Sequence, residues 1–171
     1  VGDNNIPSSS SSPLFKTSFD YIAAPEMTSS SKLPFPDEYF DAVTCCLTLC
    51  SVSDQSLELN EMNRVLNSNG GTFGYVEHVA VRVDDDSKND DSRPRWSYEF
   101  LERQQQTLDP LQQAVADNCH LHRNTDLAVW DTFGCDKSKA VILEKERFLV
   151  DDMWPVSCQC RGVIQKTKMM V

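Results

Sequence analysis

The sequence predicts an α/β chain built on a parallel sheet that closes with an antiparallel strand pair. Three observations carry this. Between positions 40 and 79 a continuous apolar run, a segment of helical period and a second β-rich run follow one another, and such alternation implies parallel βα units. The first run, Phe40 to Leu47, is short and bounded by turn residues, which suits a strand covered on both faces of a sheet. The last two β-rich runs, Lys139 to Phe148 and Val156 to Lys166, are joined by a short loop, which implies one antiparallel edge.

Each element has a local reason. Tyr21 to Ala24 suits a short strand, and Ser29 to Ser31 a loop. Ser53 reads as an N-cap with Asp54 in the first turn, where a carboxylate faces the positive end of the helix dipole. Leu59, Met62, Val65 and Leu66 then share one helical face. Asn69-Gly70-Gly71 is expected to end that helix, glycine supplying the left-handed residue that helix ends favour. Thr72 to Val79 is the next strand, and Asp84 to Asp91 an acidic loop. Pro94 opens a long helix with Trp96, Phe100, Leu101, Leu108, Leu111 and Val115 on its apolar side, and Pro110 is expected to kink or split it. Thr125 to Phe133 forms a shorter helix ended by Gly134. The serine-rich residues 1–18 read as a flexible lead-in, 19–166 as one domain and 167–171 as a tail.

Composition narrows the function classes. With 171 residues the chain is one domain with a single core. A formal net charge of −10 disfavours nucleic acid and anionic membrane surfaces as general ligands. No apolar run approaches the roughly 20 residues that span a bilayer, and no signal peptide is expected. Seven cysteines at irregular spacing argue for free thiols in a reducing intracellular compartment rather than a disulfide framework. Cys158 and Cys160 set two thiols on one strand face, but without a second paired motif no metal ligand is assigned.

The stretch from Leu33 to Val79 carries the chemistry. Leu33-Pro34-Phe35-Pro36-Asp37 and Phe40-Asp41-Ala42-Val43, followed by Glu61, Arg64, Val65, Leu66, Gly70 and Gly71, resemble the type 11 class I methyltransferases. Asn69 stands where that pattern has proline. Leu47-Thr48-Leu49-Cys50-Ser51-Val52, Glu77-His78-Val79 and the run Asp117 to Thr125 further resemble the methyltransferase-like thiol methyltransferases. The resemblance covers roughly residues 19–166. It implies a Rossmann-like class I methyltransferase sheet and, in the full-length parent, methyl transfer from S-adenosylmethionine to a small-molecule acceptor such as an alkyl thiol.

The resemblance also implies site residues. Leu47, Thr48 and Leu49 are expected beside the cofactor methionine, and Glu26 and Met27 beside the adenine. Physical chemistry agrees with the general place, because ligands of open parallel sheets sit beyond the carboxyl ends of the strands. A thiol acceptor must lose its proton, and His78, Glu77 or His120 is the candidate base. Each has a structural reading beside the functional one. His78 can cap the sheet, Cys119 and His120 can brace the loop before the Thr125 helix, and Glu61 with Arg64 can be a surface pair.

The family's glycine-rich loop after the first strand has no counterpart here. None of the six glycines forms G-x-G. The acidic residue that holds the cofactor ribose is also unmatched. The expectation is therefore an N-terminally truncated sheet, with any upstream membrane anchor outside the chain. The alternative function is a non-catalytic remnant or binding module that keeps the sheet without cofactor affinity.

Overall fold

A computed structural model describes residues 32–167 apart from 87, 89–92 and 138. Its centre is a four-stranded sheet of order β1-β2-β4-β3. β1 (Ala42–Cys46) and β2 (Thr72–His78) run parallel, with Cys45 opposite Tyr75. β4 (Cys158–Lys166) lies antiparallel to β2 on one side and to β3 (Ala140–Leu149) on the other. The predicted fold class holds, with the closing pair inserted so that its second strand is central. The expected strand at Tyr21 to Ala24 lies outside the described residues.

β1 and β2 are joined by α1 (Gln55–Val65). Asp54, not Ser53, caps this helix: its carboxylate accepts from the Leu57 N–H at 3.0 Å. The aspartate is placed to serve both as cap acceptor and as anion at the helix start. The helix also ends earlier than expected. Leu66 is already extended and bridges in parallel to Phe40, so the chain leaves the helix by joining the sheet. Asn69-Gly70-Gly71 instead forms the turn into β2. Gly70 has φ +92°, and a Cβ on Gly71 would sit 2.4 Å from the Asn67 carbonyl oxygen.

After β2 come α2 (Val83–Asp86) and α3 (Arg95–Val115). α3 runs unbroken through Pro110, contrary to the expected split. Pro110 is exposed, so the carbonyl deprived of its helical donor can turn to water. The apolar side of α3 is narrower than its sequence suggests. Tyr98, Leu101 and Gln105 are buried, whereas Trp96, Phe100, Leu111 and Val115 are exposed. α4 (Thr125–Phe133) ends as expected at Gly134, in the left-handed conformation at φ 66°.

α1 and α4 pack against each other and cover one sheet face. Phe73, Tyr75 and Ile164 point into that side, with Phe73 stacked on Phe133 at 4.7 Å. Buried apolar side chains of this size each contribute about 1.5–3 kcal/mol. β1 is less enclosed than a doubly covered strand. Ala42, Thr44 and Cys46 are exposed and only Cys45 is buried. β1 is the sheet edge among the described residues, so its alternate side chains have no layer packed on them.

Candidate active site

The carboxyl ends of β1 and β2 point the same way, and the chain turns sharply after β1. After β1, Leu47 takes φ +49° while its N–H still donates to the Val76 carbonyl at 2.9 Å. The next three residues are fastened by one side chain. Glu77, fully buried at the end of β2, accepts from Thr48 N–H at 2.9 Å and Leu49 N–H at 3.1 Å through Oε1. Its Oε2 accepts from Cys50 N–H at 3.4 Å, and the Cys45 thiol also approaches Oε1 at 3.4 Å. A carboxylate with this many partners is occupied as a clamp. Glu77 therefore holds the loop and is not an available base. Burial beside this carboxylate pushes the Cys45 thiol up to about 12.

The segment between α3 and α4 braces the same loop from the other side. His120 N–H donates to the Cys50 carbonyl at 2.9 Å, and Asn118 Nδ2 donates to the Ser51 carbonyl at 2.9 Å. Arg123 Nη1 donates to the carbonyls of Leu49 and Val52 at 3.0 and 2.7 Å. Gln55 Nε2 donates to the Leu49 carbonyl and to Thr125 Oγ1. The motif from Asp117 to Thr125 thus owes its residue types to donors aimed at loop carbonyls. Asp117 and Asn118 both take positive φ, which makes the reversal that presents them.

The candidate residues separate by exposure. Leu47 is 45% exposed and Thr48 is also open. Leu49 is fully buried, with its N–H given to Glu77 and its carbonyl filled by Gln55 and Arg123, so it anchors the loop from beneath. His78 is buried, and its Nε2–H donates to the His120 carbonyl at 2.9 Å. Burial lowers its pKa, which keeps the ring neutral. His120 is partly exposed, with Nδ1 3.8 Å from Asp109 Oδ2. Burial, and then Arg123, lower its pKa too. Glu26 and Met27 lie outside the described residues.

The remaining motif residues are structural. Arg64 forks onto Glu61 and reaches Asp37 at 2.7 Å and the carbonyls of Phe35 and Leu33. The pair is thereby the staple that seats the Leu33–Asp37 turn on α1, not a free surface pair. That hydrogen bonding from Arg64 holds Glu61 below the usual carboxylate range. Cys158 and Cys160 are buried in the core, and the Cys158 thiol faces Asp86 at 3.7 Å. Sequence reasoning passed over another cluster: Cys50, His78 and Cys119 each offer a ligand atom within 4.8 Å of the others. These residues come from three separate segments, and no spacing in the sequence links them.

Comparison with known proteins bears on this sheet and its clamped loop. The methyltransferase-domain family model matches residues 22–73. A SAM-dependent methyltransferase from Methanosarcina mazei has the same fold, with TM-score 0.50, 17% identity, and coverage of 80% of this chain and 63% of that one. The chain thus carries the Rossmann-like class I methyltransferase fold, with a methyltransferase-domain match over residues 22–73. The chain is similar to human thiol S-methyltransferase TMT1A, 37% identical over 89 residues that make up 52% of this chain and 30% of that protein. It is also similar to rat thiol S-methyltransferase TMT1B, at 36% over 89 residues, again 52% of this chain and 30% of the relative. A further match is the ubiquinone/menaquinone biosynthesis C-methyltransferase UbiE of Xanthomonas campestris pv. campestris, 39% identical over 66 residues, 39% of this chain and 24% of that protein. The chain spans under a third of the length of these curated relatives.

Proposed function

We propose that this chain serves methyl transfer from S-adenosylmethionine to a small-molecule acceptor, an alkyl thiol being the acceptor class. The observation that carries the reading is the loop beyond β1. Glu77 fixes its backbone from inside while Leu47 and Thr48 remain open at the carboxyl end of a parallel strand pair. The residues fit the methionine end of the cofactor: an exposed apolar side chain and a hydroxyl stand together on a rigid turn. The thiol class draws its support from the names of the matched relatives.

Bound there, the cofactor supplies an electrophilic methyl group, and the protein's task is alignment. Leu47 and Thr48 flank the methionine, Leu49 holds the turn from below, and Glu26 and Met27 serve the adenine. With Nδ1 of His120 turned to Asp109, Nε2 is the nitrogen left to take the acceptor proton. A neutral imidazole at physiological pH has the lone pair this needs. His78 is a positioning residue that holds the His120 backbone through its Nε2–H. None of the seven cysteines forms a disulfide, in keeping with a reducing compartment.

The test is thermal unfolding with and without S-adenosylmethionine or S-adenosylhomocysteine, followed by transfer of a labelled methyl group to an alkyl thiol. A ligand at about 100 times its Kd stabilises the native state by about 2.7 kcal/mol, so the expected result is a rise in Tm. His120→Asn should retain that rise while lowering kcat about 10²-fold or more. An unchanged Tm at millimolar cofactor would leave this chain a binding module without cofactor affinity.

A further inference from the structure

The end of β2, the loop after β1 and the turn before α4 meet at three side chains that the methyl-transfer reading does not use for chemistry. Cys50, His78 and Cys119 are 3%, 3% and 8% exposed. Each offers one ligand atom, and the three atoms lie within 4.8 Å of one another. Cys119 Sγ is 3.4 Å from His78 Nε2 and 4.0 Å from Nδ1. We propose that Cys50, His78 and Cys119 form a binding site for a soft transition-metal ion, Zn²⁺ being the best match.

The donor types favour this metal class. Thiolate and imidazole suit zinc, whereas Mg²⁺ and Ca²⁺ demand oxygen ligands that this trio lacks. Zinc–sulfur bonds near 2.3 Å and zinc–nitrogen bonds near 2.0–2.1 Å set ligand atoms about 3.5–3.8 Å apart in a tetrahedron. From separations within 4.8 Å, a contraction of at most about 1.0–1.3 Å brings the three atoms to that spacing. Binding replaces two thiol protons, so one Zn²⁺ with two thiolates is neutral and tolerable inside the protein.

The surroundings are prepared in the manner of a metal centre. A ligating histidine usually gives its other N–H to a carbonyl or carboxylate, which fixes the tautomer. Here the carbonyl of His120 accepts from His78 Nε2, which leaves the Nδ1 lone pair free to ligate. Cys50 is held by its N–H to Glu77 and by its carbonyl to the His120 N–H. That second bond joins the Cys50 and Cys119 segments directly. Cys119 accepts a further contact from Gln112 Nε2 at 3.7 Å. Burial pushes the Cys50 thiol up to about 12, so the metal itself must displace its proton on binding. Three protein ligands leave one tetrahedral position for water or an added thiol.

The experiment titrates the metal-free chain, under reductant, with Co²⁺ and then Zn²⁺. Tetrahedral thiolate–cobalt absorption saturating at one equivalent, and its loss on adding Zn²⁺, is expected. Cys50→Ser and Cys119→Ser should each weaken binding at least about tenfold, and Cys46→Ser should leave it unchanged. Because either buried variant can disturb folding, alkylation of the unmodified chain supplies a second readout. Zn²⁺ should slow labelling of Cys50 and Cys119 relative to Cys46, as resolved by peptide mass spectrometry. Absence of the cobalt bands, bands that survive both substitutions, or unchanged labelling rates would overturn the assignment.

Discussion

Glu77 shows how one residue converts a strand end into a shaped loop. Its carboxylate is the common acceptor for three successive N–H groups that no secondary structure satisfies. Replacing it by glutamine keeps the volume but turns an NH₂ group toward donors. A buried donor left without its acceptor costs about 1–3 kcal/mol. Glu77→Gln should therefore lower the unfolding free energy in urea by about that amount and weaken cofactor binding, while Glu144→Gln, on the exposed face of β3, should change neither. Equal effects at the two positions would remove Glu77 from its role as clamp. The sequence offered Glu77 as a base because it stands at a strand end beside a histidine. Its burial and its three N–H partners, which sequence cannot display, make it a structural acceptor instead. The same invisibility applies to Cys50 and Cys119, separated by three helices and a strand yet close enough to share an ion.

At the scale of elements, what sequence pattern determined locally was legible, and what tertiary contact determined was not. α4 and its Gly134 cap follow from nine residues and one glycine. The parallel pairing of β1 with β2 follows from the alternation between positions 40 and 79. The end of α1 does not, because Leu66 is drawn out of the helix by pairing with Phe40 across the sheet. The glycine pair then solves a different problem from helix capping. Gly71 N–H donates to the Asn67 carbonyl at 3.1 Å, so tight a closure that no side chain fits between them. Gly71→Ala must push backbone apart where the turn enters β2, and overpacking of this kind costs about 1–3 kcal/mol. The expected outcome is a fall of that size in stability, measured by urea unfolding. A neutral substitution would mean that the turn is free to open. The helix is not split at Pro110 for the opposite reason: an exposed helix can lose one hydrogen bond to water without breaking.

Across the whole molecule, the alternation of strands and helices and the antiparallel closing pair were foreseen, and the polar frame that binds the layers was not. Arg147 projects from β3 beneath the core. It pairs with Asp86 of α2 through Nε at 2.6 Å and Nη2 at 2.9 Å, and donates to the Ala80 carbonyl at 2.7 Å. Its Nη1 lies 3.1 Å from Asp126 Oδ1 of α4, close as a charge but without hydrogen-bond alignment. Asp126 is also held by Arg82 at 2.9 Å. Nothing in the spacing of positions 82, 86, 126 and 147 announces this network, because three elements must be packed before the charges meet. Arg161 provides the internal comparison. It lies on the neighbouring strand, pairing with Glu144 at 3.3 Å and Glu146 at 2.6 Å, but its side chain is 51% exposed against 8% for Arg147. Solvent screens the first pair and leaves it worth about 0–1 kcal/mol. Removing Arg147 strands the buried carboxylate of Asp86, a change that costs about 3–5 kcal/mol. Arg147→Met should therefore lower the unfolding free energy several times more than Arg161→Met. Adding Asp86→Asn to Arg147→Met should restore part of the loss, since the stranded charge is gone. Urea unfolding of the four chains measures this directly. If the two arginine variants prove equally stable, the layers are held by apolar contacts alone and the charge network is incidental to the fold.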